Sequence, residues 1–199
     1  MREIVILGST GSIGVQALEI VAAYPEKFRV IGLSAGRKNP ALLMQQAKKF
    51  NVPIVGSMAE APKTDGVKVI DGDNSSIEIA AIPCDIVLNG ITGSIGLGPT
   101  LSALAVGNKV ALANKESLVA GGELVMKYGS DKLIPVDSEH SAIYQALLAG
   151  KISDVKKLIL TASGGPFRDR ADLSDVSVAD ALNHPTWSMG EVVTINSAT

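Results

Sequence analysis

Short apolar, β-branched runs alternate with amphipathic helical patterns along most of this 199-residue chain. Apolar residues spaced three and four apart predict helices at positions 15–21, 41–50, 101–106 and 117–128. Strand-like runs lie at positions 3–7, 28–33, 53–55, 67–70, 85–88, 109–112 and 132–136. This alternation is typical of parallel strands joined by crossover helices. We therefore predict an α/β fold with a doubly wound, mostly parallel sheet.

The pattern changes after Gly150. A strand-like run at positions 155–160 leads into a glycine-containing turn, and another run at positions 192–195 follows a polar stretch. We place a domain change near residue 136, so that residues 1–136 form one domain and residues 137–199 begin a second.

Charge and composition limit the classes of partner. The formal net charge is -2, and the chain has no block of like charges, which argues against nucleic acid and anionic membranes as partners. The start lacks a basic leader, and no apolar run reaches membrane-spanning length. Cys84 is the only cysteine, so an intrachain disulfide is excluded, which fits a reducing cytoplasm. We expect a cytoplasmic protein with small-molecule partners.

The first strand runs into a G-x-x-G-x-x-G loop formed by Gly8, Gly11 and Gly14, which opens directly into a helix. Such glycines allow a tight turn and close approach to a pyrophosphate, whose charge then lies at the positive end of the helix. Glycines between a strand and a helix also occur for packing reasons alone. The loop predicts dinucleotide binding, with packing as the alternative.

The second strand ends in Gly36-Arg37-Lys38. No Asp or Glu occurs between Glu26 and Glu60, so the acidic residue that holds the ribose of NAD is missing. Arg37 and Lys38 offer a clamp for a phosphate instead, which points to NADP(H). The alternative is an ordinary solvated turn.

An apolar run ends abruptly at Asp137-Ser138-Glu139. On an extended chain, side chains two apart point the same way, so Asp137 and Glu139 would converge on one point. Two carboxylates suit Mg²⁺ or Mn²⁺. The alternative is that Asp137 or Ser138 caps a helix and Glu139 lies in its acidic first turn.

Two later segments also carry polar groups. Lys115 follows a strand at its carboxyl end, where a cation could orient a substrate oxygen, while Glu116 could equally be a first-turn residue favoured by the helix dipole. His184 and Trp187 share a loop bounded by proline and glycine. That tryptophan is either part of a lid over a ligand or an aromatic plug of a small second core.

Together these segments resemble the 1-deoxy-D-xylulose 5-phosphate reductoisomerase family of the non-mevalonate isoprenoid pathway. The matching segments, in family order, are LGSTGSIG (7–14), LSAGR (33–37), NGITGSIGL (89–97), ALANKESLV (111–119), PVDSEHSAI (135–143), TASGGPF (161–167), HPTWSMG (184–190) and NSAT (196–199). They extend over the whole chain. The resemblance implies a Rossmann-type NADPH-binding domain at 1–136 and the beginning of an α+β catalytic domain at 137–199.

The resemblance also implies specific roles. The expected NADPH contacts are Thr10, Gly11, Ser12, Ile13, Gly36, Arg37, Lys38, Asn114, Glu116 and Gly190. The expected substrate contacts are Lys115, Ser138, Glu139, Ser163, His184 and Ser197, with Trp187 and Met189 on a mobile lid. Asp137 and Glu139 would hold the metal, Mg²⁺ or Mn²⁺ with Co²⁺ as a further candidate. The metal would promote a skeletal rearrangement, and NADPH would then reduce the product to 2-C-methyl-D-erythritol 4-phosphate.

Family members are considerably longer than this chain and continue beyond NSAT with an Asn-Lys-Gly-Leu-Glu segment that supplies further phosphate contacts and a further carboxylate. We therefore expect an amino-terminal half that is inactive alone, and a homodimer at full length. One alternative is a semialdehyde-type dehydrogenase, but Cys84, its required nucleophile, lies at the amino end of a strand. The other is an NADP(H)-binding module without catalysis.

Overall fold

The computed structural model describes residues 1–161, 164–186, 188 and 190–196. The chain divides into two units, Met1–Asp137 and Ser138–Thr199. The parallel sheet and the glycine loop at positions 8–14 belong to the first unit, and each unit is described by itself.

Seven parallel strands form one sheet within the described residues. They are β1 (Arg2–Leu7), β2 (Phe28–Ala35), β3 (Ile54–Ser57), β4 (Lys68–Asp71), β5 (Ile86–Asn89), β6 (Lys109–Leu112) and β7 (Leu133–Pro135). Their order is β4-β3-β2-β1-β5-β6-β7, with every neighbouring pair parallel. The chain winds outward from β1 to one edge, returns to β5, and winds to the other edge. The doubly wound parallel sheet is confirmed, and the point where the winding reverses lies between β1 and β5.

The strands are apolar because helices cover both faces of the sheet. Val5, Ile6 and Leu7 of β1 are fully buried although their side chains alternate between the two faces. Full burial of such a side chain stabilises the fold by about 1.5–3 kcal/mol. The central strand therefore requires apolar residues at consecutive positions, as the sequence has them.

Five helices of the first unit provide this cover: α1 (Ser12–Ala23), α2 (Pro40–Lys49), α3 (Ser75–Ala80), α4 (Leu97–Ala105) and α5 (Glu116–Met126). On one face, Leu18 of α1 and Leu43 of α2 pack in a cluster with Ile6 and Leu33. The opposite face has its own cluster, in which residues of α3, α4 and α5 pack against β1, β5 and β6. Helix α3 is not among the sequence-predicted helices.

The second unit departs from the sequence-based expectation. Its helices are α6 (Ser138–Leu147), α7 (Val178–Leu182) and α8 (Glu191–Asn196). The strand-like run at 192–195 is helical, so that prediction was wrong: Thr194 donates its backbone N–H to the carbonyl oxygen of Gly190 at 3.0 Å, a helical bond. The run at 155–160 has no regular secondary structure and no strand partner in the described part of the chain.

Among the residues that the structure describes, none of the helices combines the length and the apolar composition needed to cross a membrane.

Candidate functional site

The glycine loop joins β1 to α1 at the carboxyl edge of the sheet. Gly8 has φ +75°, and a Cβ there would lie 3.0 Å from the carbonyl oxygen of Gly90. Gly14 is buried, and a Cβ on it would lie 2.7 Å from the carbonyl carbon of Ser9. Both positions therefore require glycine, one for backbone conformation and close approach, the other for packing of α1 on the loop.

Gly11 is the N-cap residue of α1, and no side chain makes a capping hydrogen bond to this end of the helix in the described structure. The first N–H groups of a helix point outward and carry partial positive charge. Ser12 and Ile13 are exposed beside them, and Thr10 is half-buried. An anion such as a pyrophosphate fits this end of α1.

A buried pair of polar side chains holds the loop in place. The Ser9 hydroxyl donates to Oε1 of Gln46 at 2.8 Å, and Nε2 of Gln46 donates back to the Ser9 carbonyl oxygen at 2.9 Å. Gln46 lies on α2 and is nearly fully buried. Sequence reasoning missed this pair, although a glutamine among the apolar residues Leu43, Met44 and Ala47 of α2 was a signal that could have identified it.

The residues predicted to form a phosphate clamp directly follow β2. Gly36, Arg37 and Lys38 are all exposed, and a Cβ on Gly36 would meet no atom within 4 Å. The Arg37 guanidinium is not isolated, because it forms an ion pair with Asp73 in the connection from β4 to α3. The local sequence around β2 does not reveal Asp73, because this residue is distant in sequence and close in space.

Two buried asparagines shape the next strand ends. Asn89 donates from Nδ2 to Gly96 O at 2.9 Å and to Thr100 Oγ1 at 2.8 Å, and accepts from the N–H of Ile91 at 3.1 Å. These bonds connect the end of β5 to the start of α4. The peptide after β5 is thereby fixed beside the glycine loop.

Asn114 connects the ends of β5 and β6. Its Nδ2 donates to the carbonyl oxygens of Ile91 and Gly93, and its Oδ1 accepts from the N–H and the hydroxyl of Ser117. An amide side chain offers two donor hydrogens and two acceptor positions, so this side chain is fully used. The expected NADPH contact of Asn114 would therefore have to come from its backbone.

Lys115 and Glu116 begin α5. Lys115 is exposed and directly precedes the helix, and Glu116 is half-buried in its first turn. A carboxylate in the first turn of a helix is favoured by the dipole. The lysine ammonium faces solvent near the carboxyl end of β6, where a cation can meet a ligand oxygen.

The two predicted metal ligands have different backbone conformations. Asp137 follows β7 and ends the first unit, whereas Glu139 lies in the first turn of α6. The extended geometry that would place both side chains on one side was a wrong expectation, because the backbone is helical from Ser138 onward. Glu139 as a first-turn residue is confirmed, and the Ser138 hydroxyl donates to its Oε2 at 3.0 Å.

Within the described residues, no group of three or more His, Cys, Asp or Glu side chains could hold a metal ion. Two carboxylates are nevertheless the donor type that Mg²⁺ and Mn²⁺ prefer. The metal role of Asp137 and Glu139 stays a prediction.

Two further candidates are described in the second unit. Nδ1 of His184 accepts from the N–H of Thr186 at 3.1 Å, so a neutral imidazole there carries its proton on Nε2. The carbonyl oxygen of Gly190 accepts from the N–H and the hydroxyl of Thr194, which fixes the start of α8. The other expected residues of this region lie outside the described residues: Ser163, Trp187, Met189 and Ser197.

Cys84 does not have the environment of a nucleophile. Burial raises the pKa of its thiol to about 11, and the residue precedes β5 at the amino edge of the sheet. The thiol is therefore protonated at neutral pH and far from the strand ends where ligands bind. These observations argue against the semialdehyde-dehydrogenase alternative.

Family models match both parts of the chain. Residues 4–122 match the description 1-deoxy-D-xylulose 5-phosphate reductoisomerase, and residues 133–199 match the C-terminal domain of the same family. The 1-deoxy-D-xylulose 5-phosphate reductoisomerase of Paenarthrobacter aurescens is 53% identical, and the match covers 99% of this chain and 55% of the relative. The chain thus spans about half the length of the curated relatives it matches.

Solved structures give the same result. The Zymomonas mobilis reductoisomerase in complex with NADPH superimposes with a TM-score of 0.80 at 33% identity, covering 99% of this chain and 54% of that one. A DOX-P reductoisomerase in complex with NADPH, fosmidomycin and magnesium gives a TM-score of 0.78 at 35% identity, covering 100% of this chain and 54% of that one.

Proposed function

This chain belongs to the 1-deoxy-D-xylulose 5-phosphate reductoisomerase family, and we propose that it supplies the cofactor-binding part and the first catalytic segments of such an enzyme. The reaction converts 1-deoxy-D-xylulose 5-phosphate into 2-C-methyl-D-erythritol 4-phosphate, with NADPH as the reductant. The observation that carries the proposal is the glycine loop at the start of α1, with a basic clamp at the end of β2.

Two features support NADPH as the cofactor. The uncapped first turn of α1 offers N–H groups to a pyrophosphate, and Gly8 and Gly14 let the backbone approach it. Arg37 and Lys38 stand where Rossmann-type domains read the 2′ position of the adenosine ribose, and two positive charges suit the 2′-phosphate of NADPH. A solved relative was obtained in complex with NADPH.

The assignment of the catalytic residues is part of the proposal. Asp137 and Glu139 would hold Mg²⁺, Mn²⁺ or Co²⁺, which when bound acts as a Lewis acid on the substrate's ketone and hydroxyl. Lys115 lies near the carboxyl end of β6, at the edge of the sheet where we propose that the cofactor binds, and its ammonium group would orient a substrate oxygen. The remaining substrate contacts we assign are Ser138, Ser163, His184 and Ser197. A solved relative contains fosmidomycin and magnesium.

We assign residues 1–136 to NADPH binding and residues 137–199 to the first part of the catalytic domain. The substrate class is a small sugar phosphate. The homodimer, the absence of nucleic-acid and membrane partners and the cytoplasmic location stay predictions from the sequence.

A titration followed by a single-turnover reaction tests the proposal. The chain is titrated with NADPH and with NADH by nicotinamide fluorescence, then mixed with 1-deoxy-D-xylulose 5-phosphate and Mn²⁺ while NADPH absorbance is recorded. We expect saturable binding, tighter for NADPH. No NADPH binding would overturn the proposal. Because we expect the amino-terminal half to be inactive alone, binding without oxidation is the expected outcome. Measurable oxidation by this chain would overturn that expectation.

A further inference from the structure

Arg37, on which the proposed preference for NADPH depends, already has a counter-ion. Its guanidinium donates to the carboxylate of Asp73, which is 36 residues away in the connection from β4 to α3. Because β3 lies between β2 and β4 in the sheet, this ion pair extends over the carboxyl end of β3. A residue outside the glycine loop and the clamp therefore lies at the proposed cofactor edge.

The backbone around Asp73 is anchored on both sides. Gly72 has φ +115°, a conformation that favours glycine, and its N–H donates to the carbonyl oxygen of Ser57 at the end of β3 at 2.9 Å. On the other side, the Ser76 hydroxyl donates to the hydroxyl of Ser34 in β2 at 3.0 Å, and both serines are buried. Asp73 is thus held between the ends of β3 and β2, beside the turn that carries Arg37.

We propose that Asp73 is a specificity-determining residue, because its carboxylate is the counter-ion that the 2′-phosphate of NADPH must displace from Arg37. This inference rests on the proposed function, since it requires Arg37 to bind that phosphate. A carboxylate and a phosphate repel each other when they share one guanidinium. NADH has a 2′-hydroxyl instead, which can donate to a carboxylate. Asp73 therefore weakens NADPH binding and reduces the preference of the chain for NADPH over NADH.

The expected size of the effect on NADPH affinity follows from the solvent exposure of the Arg37 and Asp73 side chains. The Arg37 side chain is 63% exposed and the Asp73 side chain 71% exposed. Ion pairs this exposed are weak, so their exchange for a ligand phosphate changes affinity about two- to fivefold. Because the repulsion is screened by salt, the gain on removing the carboxylate should be largest at low ionic strength.

The test compares Asp73→Asn with Asp71→Asn in the 199-residue chain. Asp71 is the exposed last residue of β4, so its substitution removes the same charge two positions away. We expect Asp73→Asn to tighten NADPH about two- to fivefold at low salt, to leave NADH unchanged or weaker, and to leave the melting temperature unchanged. The ratio of the two affinities should be unaffected by Asp71→Asn.

A double variant separates action through Arg37 from a general charge effect. In the Arg37→Ala background, Asp73→Asn should no longer tighten NADPH. The inference is overturned if Asp73→Asn leaves NADPH binding unchanged or weakens it, if Asp71→Asn gives an equal gain, or if the gain persists without Arg37. Failure of the wild-type chain to bind NADPH would instead overturn the proposed function itself.

Discussion

Gly8 and Gly14 pack backbone against backbone, so that a Cβ on Gly14 would overlap the carbonyl oxygen of Gly8. Gly14 lies in the first turn of α1, and Gly8 directly follows β1. Contact of this kind brings the N-terminus of α1 against the end of the strand, which is where the proposed cofactor phosphates bind.

The first prediction concerns this contact. Gly14→Ala should lower the free energy of unfolding by about 1–3 kcal/mol, because the backbone must move to accept the methyl group. NADPH binding should weaken at the same time. Gly122→Ala in α5 is the matched control. A Cβ added there would meet no atom within 4 Å, so this substitution should raise the free energy of unfolding by about 0.5–1 kcal/mol. Chemical denaturation measures the free energy of unfolding of both variants. Equal stability of the two variants would contradict the packing argument.

The second prediction concerns the free end of α1. Ser12→Asp places a carboxylate at its first residue, which should keep or raise the stability of the helix while repelling a pyrophosphate. We expect NADPH to bind at least about tenfold more weakly, a loss of about 1.4 kcal/mol. Ser12→Ala, which removes only the hydroxyl, should change affinity much less. An unchanged dissociation constant for Ser12→Asp in a fluorescence titration would mean that the phosphates bind elsewhere.

The third prediction concerns cofactor choice. Arg37→Ala should weaken NADPH far more than NADH, because a charge-assisted phosphate contact is worth about 1.5–3 kcal/mol, or one to two decades in affinity. Parallel titrations with both cofactors measure the difference. An equal loss for NADPH and NADH would rule out the clamp.

The fourth prediction concerns the metal. Asp137→Asn should weaken Mn²⁺ binding at least about tenfold and, in a full-length version of the protein, abolish metal-dependent turnover, while NADPH affinity stays within about a factor of three. Calorimetry with Mn²⁺ and with NADPH on the same sample measures both affinities. Asp65→Asn, which removes an exposed carboxylate of the same unit, is the control. If Asp137→Asn binds Mn²⁺ normally, the residue has a structural role only.

The fifth prediction concerns the pH dependence of Cys84. Because burial raises the pKa of its thiol from 9.0 to about 11, the folded chain holds this proton more tightly than the unfolded chain. The thiol therefore contributes stability below pH 9 that is lost as the pH rises through 11. Cys84→Ser should remove that part of the pH dependence. Iodoacetamide labelling of the folded chain should also rise at higher pH than labelling in urea, and coinciding pH profiles would contradict the burial argument.

The central sheet was predictable because its strands are marked by consecutive buried apolar residues such as Val5, Ile6 and Leu7. Short elements were harder to predict from the sequence. Helix α3 has six residues, two of them serines at its start, and lacks a side-chain cap bond, so no helical period stands out. The β-branched run at 192–195 suggested a strand, yet the backbone bond from Thr194 to Gly190 makes it helical. Local propensity is outweighed by hydrogen bonding there.

The candidate site was likewise predicted only in part. Residues next to strand ends, such as Gly8, Arg37 and Lys115, were found because parallel strands end at one edge of the sheet. Asp73 was missed because only the folded sheet brings the end of β4 near the end of β2. The geometry of Asp137 and Glu139 was misjudged because the start of α6 falls between them.

The side-chain amide of Asn114, whose hydrogen-bonding groups are all used, determines when the loop after β5 becomes ordered. Its bonds to Ile91, Gly93 and Ser117 are all made within the chain itself, so they restrict the conformation of this loop when the chain folds. A partner that meets such a loop finds its backbone groups already oriented, so association loses less conformational entropy than with a disordered segment. Substitution of Asn114 would transfer that ordering from the folding step to the binding step.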